Sequence, residues 1–306
     1  MSTAHALSSS LPAATLPQTL QFDFTSALNG LAYRVRVARP FVPPPPAGYP
    51  VLFVLDGDGF FGSFAEAARL RALGREIEPA VVVGIGYPDD DIFVTMNRRN
   101  LDLTFSDMSS AGLEAGKAAL QPGTEFGGGE VFQRIIETEI QPQVAALVPV
   151  DAARQVLWGH SLAGYFALAT LFGRPDWFQT VVASDPSIFW DGRSVLKLEP
   201  EFSQGVVDRR YAPRVMITYM GKGQTPYRAI PGATDEQLAV VNARVASWRG
   251  IDAVIELGTR LSALQGAPGY CCRWHVYPDC DHEGVVFRGL NDFLDFALPP
   301  TIPPPR

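Results

Sequence analysis

Histidine and cysteine are scarce in this chain, and the scarcity narrows its chemistry. Its 306 residues hold four histidines, His5, His160, His275 and His282, and three cysteines, Cys271, Cys272 and Cys280. Their spacing suits no zinc site, and neighbouring cysteines in an extended segment point to opposite faces. Neither a metal cluster nor a disulfide framework is expected, and no cofactor. No apolar run approaches the roughly 18 residues of a membrane span. The start, Met1-Ser-Thr-Ala-His-Ala-Leu, lacks the cationic and apolar regions of a signal peptide, so a cytoplasmic protein with no membrane partner is expected. Positive charge is also in deficit: 25 Lys and Arg stand against 32 Asp and Glu, a net charge of −7, which argues against a nucleic-acid partner. What remains is 47% hydrophobic and 19% charged, suited to a globular chain long enough to bury a large core. No feature specifies an oligomeric state.

Apolar runs alternate with helical patterns. Leu20–Ser26 and Leu31–Ala38 read as strands joined through Asn29-Gly30, a pair suited to a tight hairpin. Val51–Leu55, Ala80–Gly86, Val156–Trp158, Phe178–Ala183, Val215–Tyr219 and Cys271–Tyr277 read as buried strands. Helices are expected over Phe64–Leu73, from Glu130 to Leu147, after Ser161, between about Asp235 and Leu264, and over Asp292–Leu298. Residues 88 to 128 are polar and irregular, as loops framing an active site often are. This alternation predicts an α/β fold: a mostly parallel sheet with helices on both faces. Residues 18–298 form the expected single domain, between a flexible tail over 1–17 and a Pro-rich end over 299–306.

The run Gln155-Val-Leu-Trp-Gly-His-Ser161-Leu-Ala-Gly164 carries the chemistry. A short apolar strand, small residues around a serine and an Ala-rich helix form the context of a nucleophile elbow, which holds Oγ exposed above the sheet. The usual pattern is G-x-S-x-G; here Ala163 stands at the last position and the glycine follows at Gly164. Ser161 is the candidate nucleophile.

A serine hydroxyl needs a base, normally histidine. His5 lies in the tail, His160 inside the elbow and His275 mid-strand, where a satisfied sheet histidine is expected. His282, between the last strand and the last helix, is left as the base. The acid is open. No carboxylate lies in Met220-Gly-Lys-Gly-Gln-Thr-Pro226 after the strand where one is sought; Asp208, Asp235, Glu236, Asp279 and Asp281 are weak candidates, and a Ser–His dyad is an alternative. An oxyanion hole would use the N–H of Leu162 and one from Gly57 or Asp58. Gly57 and Gly59 also suit simple turn chemistry.

Six motifs then resemble the esterase D-like branch of the α/β-hydrolases, above all bacterial hydrolases of ferric tris-catecholate siderophores. They are Val54-Leu-Asp-Gly57, Arg98-Arg-Asn-Leu-Asp-Leu-Thr104, Gly127-Gly-Gly-Glu130, Gly159-His-Ser-Leu-Ala-Gly164, Asp185-Pro-Ser-Ile-Phe-Trp190 and Asp281-His-Glu-Gly-Val-Val286. The resemblance implies an α/β-hydrolase fold and ester hydrolysis through Ser161 and His282, with a small-molecule ester, such as a ferric siderophore, as substrate. It also implies that Arg98 and Arg99 hold an anionic substrate and that Trp190 stacks on it. Read from the residues alone, the arginines could be solvated and Trp190 could belong to the core. A generalist aryl, acetyl or feruloyl-type esterase is the second reading, and a non-catalytic binding protein on the same fold a third.

Overall fold

Every residue of the strand Tyr49–Val54 (β3) is buried, and its side chains alternate between two separate cores. Val51 and Phe53 belong to one, Leu52 and Val54 to the other. A strand with both faces covered must lie inside a sheet flanked by helices, and period-2 geometry shares it between the layers. The computed structural model describes residues 14–106, 124–224 and 234–300. Its sheet has eight strands in the order β1-β2-β4-β3-β5-β6-β7-β8. These are β1 (Thr19–Thr25), β2 (Ala32–Ala38), β3, β4 (Val81–Gly86), β5 (Val150–His160), β6 (Thr180–Ser184), β7 (Arg214–Met220) and β8 (Cys271–Tyr277). The first two strands form an antiparallel hairpin, β2 runs antiparallel to β4, and all other pairs are parallel. This is the α/β-hydrolase fold.

Helix α1 (Gly57–Leu73) packs on β3 and β4, on the face that carries the core of Phe61, Phe64, Trp158 and Phe293. Helices α2 (Ile92–Asp102), α3 (Gly129–Ile135), and α4 (Gln141–Leu147), reached from α3 through a π-helical turn at Ile136–Ile140, come before β5. The opposite core is built largely from α3, α4 and α5 (Leu162–Gly173), with Phe132, Ile136, Phe166 and Leu168 among its buried side chains. Further along lie α6 (Glu199–Val207), α7 (Asp235–Trp248), α8 (Gly250–Ser262) and α9 (Gly284–Ala297). Trp158 is fully buried, packed between Phe64 and Phe293 with ring centroids 4.6 and 6.2 Å away. Burying such a side chain stabilises the fold by about 2–3 kcal/mol.

Strand expectations hold within two residues except at β5, which begins six residues before Val156, at Val150, and several helices differ. Helix α1 begins seven residues before Phe64, at Gly57. Asp56-Gly-Asp-Gly reads locally as a turn, yet Asp56 turns the chain with a left-handed φ of 50° and the following residues start the helix. The acidic Asp58 in that first turn suits the positive end of the helix dipole. Helix α2 occupies part of the stretch read as irregular. Helix α6 lies where no helix is expected above, although Pro200 at its start is a recognised helix signal. The helical region from Asp235 is two helices, broken where Arg249 adopts φ 47°. The last helix starts at Gly284. The tail expected over residues 1–17 falls mostly, and the Pro-rich end expected over 299–306 mostly, outside the described residues, as does His5. No helix among the described residues is long and apolar enough to cross a membrane.

Candidate active site

Three strand ends carry the site, and at each the chain adopts a left-handed conformation on a non-glycine residue. Asp56 follows β3, Ser161 follows β5 and Asp185 follows β6, with φ of 50°, 59° and 47°. Such residues cost about 1–3 kcal/mol each and persist where surrounding structure forces them. At Ser161 the forcing groups are visible. Its N–H donates to the Ser184 carbonyl at 3.0 Å, and its own carbonyl accepts from the N–H of Tyr165 and of Ser187, both at 3.0 Å. A Cβ at Gly159 would collide with the Ala163 carbonyl, which explains the small residue before the turn. A Cβ at Gly164 would lie 3.0 Å from Pro186. The second close approach of the elbow is therefore made one residue later than in the usual pattern, and fully buried Ala163 fits.

Asp185 continues β6 by one residue. Its N–H donates to the Thr218 carbonyl at 2.8 Å. One carboxylate oxygen accepts from the Met220 N–H at 3.1 Å, and the other accepts from Nδ1 of His282. The carboxylate is 1% exposed while the imidazole keeps 38% of its surface open, so the acid is hidden and the ring reaches out. Burial pushes the Asp185 carboxyl upward, opposed by the His282 hydrogen bond. Burial works against the imidazolium of His282, but the Asp185 hydrogen bond and charge, with Glu283, leave its pKa raised.

None of the carboxylates weighed from the sequence meets His282. Asp208 pairs with Gln204 and Arg210, Asp235 and Glu236 lie in the first turn of α7, and Asp281 caps the Gly284 N–H at 2.9 Å. Asp279 has no contact with His282 among the hydrogen bonds and ion pairs of the described residues. The carboxylate on His282 is Asp185, from a motif noted above for another reason. Its signal in the sequence is an aspartate directly after β6, the strand that follows the nucleophile strand, rather than one at the end of β7.

His282 lies against His160, the residue before Ser161. The two imidazole centroids lie 4.5 Å apart. His275, by contrast, lies mid-strand on β8 as expected, exposed and edge-on against Tyr277. Helices α1 and α5 both begin at this end of the sheet, where Leu55 N–H donates to the Trp158 carbonyl at 3.1 Å. First-turn amides of a helix lack intrahelical acceptors, so Gly57, Asp58 and Leu162 present N–H groups at neighbouring strand ends. The Asp58 side chain is occupied elsewhere: it accepts from Tyr87 N–H at 2.7 Å and pairs with Arg36 at 2.6 Å.

The two arginines part company. Arg99 donates from Nε to both oxygens of Asp56, at 2.9 and 3.0 Å, and reaches the His160 carbonyl at 3.4 Å. It belongs to the wall of the site. Arg98, expected to hold substrate, instead lies between the rings of Tyr33 and Tyr87, 5.1 Å from each centroid. It donates to the Ala32 carbonyl and faces the buried Asp102 at 3.8 Å. On a helix, successive residues point about 100° apart, so only one of the two can face the site. Trp190 is partly buried, 5.8 Å from Phe126. Its backbone N–H donates to the Ser187 carbonyl at 2.9 Å, and the Ser187 hydroxyl lies 3.5 Å from Ser161 Oγ. Among the described residues, no group of three or more His, Cys, Asp or Glu is placed to hold a metal.

Compared with known proteins, residues 26–217 match the Putative esterase family. The chain belongs to that family. The esterase is 37% identical over 191 residues to the ferri-bacillibactin esterase BesA of Bacillus subtilis (strain 168), a match spanning 61% of this chain and 65% of that one, a little under two thirds. It is 32% identical over 261 residues to the siderophore triacetylfusarinine C esterase of Aspergillus fumigatus, covering 80% of this chain and 82% of the other. Its fold superposes on the siderophore hydrolase EstA from Aspergillus nidulans with a TM-score of 0.76 at 26% identity, covering 94% and 98% of the two chains.

Proposed function

We propose that this esterase hydrolyses the ester bonds of a siderophore, with a ferric catecholate as first candidate, through an acyl-enzyme on Ser161. The observation that carries the reading is the Asp185–His282 hydrogen bond beside the strained turn at Ser161. Asp185 accepts from Nδ1, so His282 keeps Nε2 unprotonated and can act as a base. His282 takes the proton of Ser161 Oγ as the oxygen attacks the ester carbonyl. The negative charge on the carbonyl oxygen is held by the N–H of Leu162 and of Gly57 or Asp58, donors of a kind worth about 10²–10³ in rate each. Collapse breaks the bond to the leaving alkoxide, which receives the proton from His282. Water, activated by the same histidine, then cleaves the acyl-enzyme and restores Ser161. The siderophore substrate rests on what the relatives BesA and the Aspergillus fumigatus enzyme are named for, and on Arg99, which reaches the His160 carbonyl beside Ser161.

A broader aryl or acetyl esterase is favoured by one observation. With Arg98 turned into the core and Arg99 shared with Asp56, the site offers less free positive charge than the adjacent pair promised. Hydrolysis rates on ferric enterobactin, apo-enterobactin and p-nitrophenyl butyrate separate the readings. A kcat/KM for the ferric trilactone well above that for the simple ester is expected; the reverse order would overturn the siderophore assignment.

A further inference from the structure

We propose that His160 is a positioning residue for His282: an uncharged ring, locked in one tautomer, that backs the catalytic imidazole while its charge changes. This rests on the reaction assigned above. Nδ1 of His160 lies 3.1 Å from the Ser184 carbonyl. A carbonyl can only accept, so Nδ1 carries the proton and Nε2 is bare. That Nε2 is buried without a hydrogen-bond partner among the described residues, which is costly and calls for an explanation.

The ring is packed on two sides. Phe60 meets it edge-on with centroids 5.7 Å apart, and Trp158 lies parallel at 6.5 Å. Its open side faces His282, at 4.5 Å. Several groups act on His282: burial opposes its cation most, Asp185 and Glu283 favour it, and Arg99 opposes it. His160 lies against the ring without adding charge. Burial, the neighbouring His282 and Arg99 together pull its own pKa down to about 3. It therefore stays neutral as His282 becomes a cation, when a second charged ring would repel it, and it keeps water off that face. A phenyl ring could do much of this work; a short polar side chain could not, even one that kept the bond to Ser184.

The test uses His160→Phe, which retains the ring, and His160→Asn, which retains an N–H for Ser184. In folded His160→Asn, kcat on p-nitrophenyl butyrate should fall about tenfold or more with KM within twofold. The acid limb of its kcat/KM profile should move to higher pH, because water admitted to His282 favours its cation. His160→Phe should restore kcat to within about threefold of the parent and leave the limb in place. Equal losses in both variants, or full activity with an unmoved limb in His160→Asn, would overturn the proposal. Imidazole nitrogen NMR on the unaltered protein tests it even if a variant fails to fold. Across about pH 5 to 9, His160 should hold one neutral tautomer while its signals follow the titration of His282. A His160 that takes up a proton, changes tautomer or ignores that titration would refute it. Failure of the unaltered protein to react with a fluorophosphonate at Ser161 would instead strike the reaction assignment, and the NMR result would still decide the role of the ring.

Discussion

His282, on the loop after β8, donates from Nδ1 to the carboxylate of Asp185, which stands one residue beyond β6. The two are 97 residues apart in the chain and meet because β6, β7 and β8 are consecutive neighbours in the sheet. Asp185 is held from below by two backbone bonds, from its own N–H to Thr218 and from Met220 to its side chain. The acid is thus fixed to the rigid sheet, while the histidine lies on a turn that reaches over it.

Asp185→Asn should lower kcat by roughly 10⁴-fold while keeping the fold, since the amide preserves an acceptor but no longer specifies the imidazole tautomer. Amide replacements of Asp208, Asp235, Glu236, Asp279 and Asp281 should each stay within a few-fold of the parent. Steady-state rates on p-nitrophenyl butyrate, with circular dichroism as a check on folding, decide the matter. Near-parental turnover in Asp185→Asn would restore the dyad.

The same pair sets the pH dependence. A base must be unprotonated, so kcat/KM should fall as pH drops through the pKa of His282. That pKa is raised because, although burial lowers it, Asp185 and Glu283 more than offset the loss. The acid limb should therefore lie above that of an ordinary imidazole, and Asp185→Asn should shift what activity remains toward lower pH. A limb below the usual imidazole range in the parent protein would contradict the pairing.

Ser161→Ala should remove about 10⁶-fold of turnover and abolish fluorophosphonate labelling. Ser161→Gly should be as inactive but more stable than the parent by about 1 kcal/mol, because glycine adopts the left-handed turn without strain. Thermal melts of the two variants read this directly. If Ser161→Gly melts lower than Ser161→Ala, the strain at φ 59° is not stored energy in the folded state.

Arg98 and Arg99, read together as a substrate clamp, should separate on mutation. Arg98→Gln should cost about 1–3 kcal/mol of stability, through lost ring contacts and the uncompensated Asp102. Arg99→Gln should raise KM for ferric enterobactin about tenfold, near 1.4 kcal/mol, with less effect at high salt and little on p-nitrophenyl butyrate. A selective KM effect in Arg98→Gln at full stability would return Arg98 to the substrate.

Asp102 carries a stability signature of its own. Burial pushes its carboxyl up to about 6, against the pull of Arg98, so the folded chain binds that proton more tightly than the unfolded chain does. Its contribution is full at low pH and is lost as pH rises from about 4 to about 6, a change of about 3 kcal/mol at most. The raised His282 has the same sign, so the comparison must be with Asp102→Asn, whose unfolding free energy should lose the Asp102 part of the slope. An unchanged slope would show that Asp102 stays ionised.

The sequence alone determined the parallel core strands and the strand–turn–helix at Ser161, and it singled out His282 as the candidate base. Each of these is written locally, in apolar runs, in small residues around a turn, or in the scarcity of histidine. Ala163 in the elbow was also readable, because Gly164 supplies the close approach one residue on. Tertiary structure alone decided the partner of His282, since a carboxylate becomes an acid partner only through the order of strands that brings it there. It likewise decided that Arg98 enters the core while Arg99 faces the site, because one step along a helix turns a side chain by about 100° and only the packing of α2 fixes which way each points. And it set His160 against His282: adjacency to Ser161 was plain in the chain, but the ring contact follows from the hydrogen bond to Ser184 on the neighbouring strand.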